Sequence, residues 1–121
     1  MIDPQGQNRL YVWDSNKLHI KKQITAPKTS SSVNTQKVKE SRYGLYNDLR
    51  LSSSKSRQEF INYHSSHKPN KSSKSVCMHR DNANTVSLSC INVHGDKVRF
   101  TYADGSPCVT ELGNEITMNL V

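Results

Sequence analysis

The sequence predicts an α+β fold, with antiparallel hairpins at both ends of the chain and two helices between them. Three observations carry this reading. Lys97-Val98-Arg99-Phe100-Thr101-Tyr102 alternates polar and apolar residues, the period of a half-buried strand. It follows Thr85-Val86-Ser87-Leu88-Ser89-Cys90-Ile91-Asn92-Val93 across His94-Gly95-Asp96, a short Gly-containing connection that reads as a hairpin turn. The middle of the chain carries two helix-start patterns, at Asn34-Thr35 and at Ser56 with Glu59, each followed by a spaced apolar set.

In chain order, Met1 to Asn8 contains Pro4 and Gly6 without apolar patterning, so 1–8 is expected to be a disordered terminus and 9–121 a single α+β domain. Arg9 to Asp14 is strand-like. A Ser15-Asn16 turn leads to a second arm carrying Leu18, Ile20 and Ile24, with Trp13 expected in the core or at a sheet edge. Thr25 to Asn34 is a Ser/Thr-rich loop with Pro27. A helix is predicted from about Gln36 to Leu51, with Val38, Arg42 or Tyr43, Leu45, Tyr46 and Leu49 on one stripe. A second short helix runs from the Ser56 cap to about His64, burying Phe60, Ile61 and either Tyr63 or His64. Ser65 to Ser75, with Pro69, reads as a basic loop, and a last strand is expected around Glu115 to Leu120. The hairpin 85–102 is expected to be the most stable part.

Composition narrows the function classes. Only 33% of the 121 residues are hydrophobic, which leaves a thin core for the length. No apolar run approaches the roughly 18 residues that span a bilayer, and no signal-like segment opens the chain. A cytoplasmic protein with no membrane partner is expected. Residues 1–75 hold 14 Lys/Arg against 5 Asp/Glu, a balance of +9, while 76–121 hold 3 against 5. That asymmetry makes a small basic module for nucleic acid or another anion the alternative function class. The lysines are scattered among Ser and Asn, and no helix-turn-helix, aromatic RNA-binding strand or zinc finger is visible, so a solvated surface is the simpler reading.

Three cysteines without paired spacing do not form a disulfide framework, and their strand-like neighbours read as buried thiols. Cys77 and His79, with Cys90, His94 and Cys108, are the residue types of a zinc site. The sequence has no C-x-x-C or H-x-x-x-H pair, however, so neither a metal nor any other cofactor is expected. His19, His64 and His67 lie in polar or basic surroundings and read as surface residues.

Ser75-Val76-Cys77-x-His79-Arg80, then Thr85-Val86-Ser87, two strands and Gly105-x-Pro107-Cys108 together resemble a known pattern. It is similar to the C-terminal region of the isopenicillin-N acyltransferase-like, autoproteolytic linear-amide hydrolases. These are N-terminal-nucleophile (Ntn) hydrolases related to the choloylglycine hydrolases. The resemblance covers Ser75 to Cys108 and, more loosely, Ser41 to Leu49. It implies part of an αββα sandwich and a cysteine amidase or acyltransferase chemistry on linear amide C–N bonds. In that family the first residue exposed by autoproteolysis supplies both nucleophile and amine base. Here the chain opens Met1-Ile2, and Cys77, Cys90 and Cys108 all fall in the segment matching the family's C-terminal region. The resemblance therefore implies a chain inactive alone, whose partner is a nucleophile-bearing portion or a second copy, with a small amide substrate only in the complete enzyme. The family's Thr-Asn oxyanion turn falls at Thr25-Ala26-Pro27, where Ala26 cannot donate, leaving Asn34 as a weak candidate. Ser41-Arg42-Tyr43 resembles the family's S-R-[FY], which makes Arg42 the candidate lining an active site. His79-Arg80 resembles the family's turn into a strand, which leaves His79 a weak candidate for chemistry.

Overall fold

The computed structural model describes residues 9–54 and 56–120; the terminus expected to be disordered, 1–8, lies outside the described residues. Among the described residues the fold is mixed α+β, with two helices and three small antiparallel sheets. β1 (Leu10–Trp13) pairs with β2 (Leu18–Lys21), and both are exposed almost throughout. Trp13, expected in a core or at a sheet edge, is 64% exposed. The turn between the strands is held by the Asp14 carboxylate, which accepts from the Asn16 and Lys17 amides and pairs with His19 at 2.6 Å.

α1 (Thr35–Asp48) begins at Asn34, whose side chain accepts from the Lys37 amide at 3.4 Å. It ends three residues before the predicted end at Leu51. Arg50 takes a left-handed φ of 52°. Its amide donates to Asn47 and the Leu51 amide donates to Tyr46, at 2.9 and 3.2 Å. That pair of bonds is a Schellman cap, which folds Leu51 back under the helix. Leu51 is fully buried while Leu49 points to solvent. α2 (Arg57–His64) starts at Ser56, whose hydroxyl accepts from the Glu59 amide; the Glu59 carboxylate turns back to the Ser54 hydroxyl.

The main core is helical. Leu45, Tyr46, Leu51 and Tyr63 form it, with Phe60 and Val76 packed against them. The Tyr46 and Tyr63 rings meet edge to face, centroids 5.7 Å apart. The largest fully buried side chains, Leu51, Val38, Cys77 and Ser75, lie in the helical layer and the loop returning over it, while the hairpin 85–102 buries Thr101.

β3 (His79–Arg80) and β4 (Ala83–Asn84) form a two-residue ladder that period-two reasoning does not register. β5 (Leu88–His94), β6 (Lys97–Ala103) and β7 (Ile116–Asn119) form the largest sheet, in that order. Gly95, at φ 59°, makes the turn between β5 and β6. Register fixes the two faces: Ile91 stands opposite Phe100 and Phe100 opposite Ile116, while Val93, Val98 and Met118 form the next row. The other face carries Leu88, Cys90, Thr101 and Ala103. Arg57 of α2 reaches it, donating to the Thr101 hydroxyl at 2.6 Å and pairing with Glu115 at 3.5 Å. The αββα sandwich implied by the resemblance is not evident in these three separate sheets.

Replacing Leu51 with Ala removes the side chain that the cap delivers to the core, and is expected to cost about 2–5 kcal/mol in urea unfolding. An unchanged midpoint would mean that the core closes without it. Burial raises the Tyr63 phenol to about 12 from an ordinary 10.0, so folding favours its neutral form. This contribution is complete below pH 10 and fades as pH rises towards 12, because the unfolded chain ionises first. Tyr63→Phe should therefore flatten the alkaline loss of stability between those limits.

Candidate metal centre and the cleft beside it

The loop that leaves α2 is fastened at both ends. The Ser65 hydroxyl lies 2.9 Å from both the Ile61 and Pro107 carbonyls, and the Cys77 amide donates to Ser66 at 3.1 Å. Ser75, fully buried, holds the return path: its hydroxyl lies 2.7 Å from the Ser72 carbonyl and 2.6 Å from that of Cys77, and accepts from the Ser72 amide. The His79 amide donates to Ser72 and the Thr85 amide to Met78. On the far side, the Val109 and Thr110 amides both donate to Ser106, and the Ser106 hydroxyl donates to the Thr85 carbonyl. Gly105, at φ 154°, permits this turn, since a Cβ there would collide with the Thr110 side chain.

These connections bring His67, Cys77, His79 and Cys108 together, with one ligand-type atom from each residue within 4.8 Å of the others. The Cys77 and Cys108 sulfurs each lie 3.5 Å from His79 Nε2. The His67 and His79 rings stand 5.1 Å apart, and His67 Nε2 is buried without a hydrogen-bond partner. Burial, with the neighbouring Cys108 thiol, pushes the Cys77 thiol up to about 11. That direction leaves Cys77 protonated and unreactive at neutral pH, the opposite of an activated nucleophile.

No family model, curated protein or solved structure matches this chain.

The absence of paired ligand spacing argues in the sequence against a metal, yet the fold gathers four ligand-type residues: His67 and Cys77 from the loop after α2, His79 from β3 and Cys108 from the turn after β6. Cys90 and His94, which the sequence places beside Cys77 and His79 as possible ligands, stay outside the group. Cys90 lines a cleft between α2 and β5, and His94 is exposed at the end of β5. His67, read from its basic surroundings as a surface residue, belongs to the group instead. The signal that it would do so is absent from local sequence, because loop closure through Ser65 and Ser66 is what delivers it.

The remaining candidates have structural tasks. Asn34 caps α1 and does not line the adjoining cleft. Arg42 does line that cleft, about 460 Å³, with Ser30, Ser31, Val76, Met78 and Arg80 among its walls. Its guanidinium, however, is engaged. Nε donates to the Ser75 carbonyl at 3.1 Å and Nη1 to the Thr29 hydroxyl at 2.5 Å. Longer contacts at 3.5 Å reach the Ser30 and Ser73 carbonyls. The Tyr63 hydroxyl in turn donates to the Arg42 carbonyl at 3.2 Å.

Arg42→Ala should cost about 1.5–3 kcal/mol, as expected for charged hydrogen bonds left unmade. It should also speed amide exchange in 72–79. Unchanged stability and exchange would show that the loop holds its place without the guanidinium.

Proposed function

We propose that this chain is the C-terminal part of an Ntn-type cysteine amidase or acyltransferase acting on linear amide C–N bonds, and that it is not catalytic alone. One structural observation carries the reading: the β5-β6-β7 sheet has α2 on one face and an uncovered apolar face on the other. Ile91, Val93, Ile116 and Met118 lie on that second face and are exposed, Ile91 at 65% and Ile116 at 56%. Phe100 and Val98 between them are only half-buried. In an αββα sandwich a second sheet covers such a face, and a contiguous apolar patch on a soluble domain marks an interaction surface. The Ser75–Cys108 pattern supplies the family, and the nucleophile would come with the covering layer.

The purified chain should release no acyl product from simple N-acyl amides. It should bind an apolar dye, and Ile91→Lys with Ile116→Lys should remove the dye signal while far-UV circular dichroism stays unchanged. A burst of acyl product from the chain by itself would overturn the claim of inactivity. A monomer that binds no dye would remove the structural support for a missing layer.

A further inference from the structure

We propose that His67, Cys77, His79 and Cys108 form a closed zinc site that staples the loop after α2 to the turn after β6. This site is independent of the amidase reading. Zinc–sulfur bonds of about 2.3 Å and zinc–nitrogen bonds of about 2.0–2.1 Å, at the tetrahedral angle, set sulfur and nitrogen ligands about 3.5 Å apart. Both sulfur-to-His79 separations have that value, 3.5 Å. The widest ligand separation is 4.8 Å, so a contraction on the order of 1 Å at the His67 or sulfur edges completes the tetrahedron.

Hydrogen bonding accounts for the cluster less well. A single imidazole nitrogen carries either one proton or one lone pair in the plane of the ring, and cannot serve two sulfurs equally. His67 Nε2 has no partner at all although it is buried, and a buried nitrogen left so costs free energy. An ion at the centre gives all four atoms a partner. Charge closes as well. Two thiols each lose one proton to solvent on binding, and the two thiolates neutralise the divalent cation beside two neutral imidazoles. The interior then holds no uncompensated charge. Two sulfurs and two imidazole nitrogens without a carboxylate select zinc over magnesium or calcium. With four protein ligands and Cys77 fully buried, no open position remains for catalysis, so the role is structural.

The test is metal content of the full chain purified under reducing conditions with zinc present, followed by exchange into cobalt. One zinc per chain is expected. The cobalt form should show the visible bands of tetrahedral coordination and a thiolate charge-transfer band in the near ultraviolet. His67→Ala and Cys108→Ser should each abolish stoichiometric retention, whereas Cys90→Ser and His94→Ala should keep one ion per chain. A chelator should lower the melting temperature of the wild-type chain and leave that of Cys108→Ser unmoved. If a variant does not fold, the wild-type cobalt spectrum still decides between four-ligand sulfur coordination and none. Absence of bound metal, retention in His67→Ala and Cys108→Ser alike, or loss in Cys90→Ser would overturn the proposal. A Cys77–Cys108 disulfide, read as a mass two hydrogens lower with Cys90 the one free thiol, would overturn it as well.

Discussion

The Arg42 guanidinium is the interaction on which the positions of the other parts depend. It stands on α1 and holds the carbonyls of a loop more than thirty residues further along, at Ser73 and Ser75, and with its other arm the Thr29 hydroxyl. A guanidinium suits this task because its donors are fixed in one plane and stay charged through any ordinary pH. Without this fastening, the serine-rich start of the stretch from Ser72 to Arg80 would have little apolar surface to hold it against the core. With it, Val76 packs on the helical core, Cys77 is sealed from solvent, and His79 starts the short β3–β4 ladder.

Much of the secondary structure was legible in the sequence because its signals are local. Ser56 with Glu59 opens α2, Asn34 opens α1, and alternation from Lys97 to Tyr102 gives β6 with its correct faces. The end of α1 was not legible. A left-handed Arg50 carries none of the signal that a glycine would, so the predicted helix runs on past Leu49 to Leu51. The cap then exchanges the two leucines, sending one to solvent and the other to the core. The first hairpin shows the opposite case, in which its strands were legible but Trp13 lies on a ladder too small to bury it.

The Cys/His group was illegible for a different reason. Its members come from positions 67, 77, 79 and 108, and their convergence depends on hydrogen bonds of Ser65, Ser66 and Ser106 that no spacing rule contains. The sequence sets Cys90, His94 and Cys108 alike beside Cys77 and His79 and gives no reason to expect a metal. Of these three only Cys108 joins the group, carried there by the turn at Gly105 and the anchoring of Pro107. Arg42 stands out in the sequence through the Ser41-Arg42-Tyr43 motif; in the fold it lines a cleft, and its hydrogen-bond partners are backbone carbonyls and the Thr29 hydroxyl.

The single tryptophan has a practical consequence for anyone following this chain in solution. Trp13 sits on an exposed hairpin, while the aromatic residues of the helical core are Tyr46, Tyr63 and Phe60. Tryptophan emission will already be that of a solvated indole in the native state, and melting of the helical layer will barely move it. The near-ultraviolet dichroism of the edge-on tyrosine pair reports that layer directly. An emission trace without a transition would therefore record the surroundings of one hairpin, and would leave the cooperativity of the core to be read from the tyrosines.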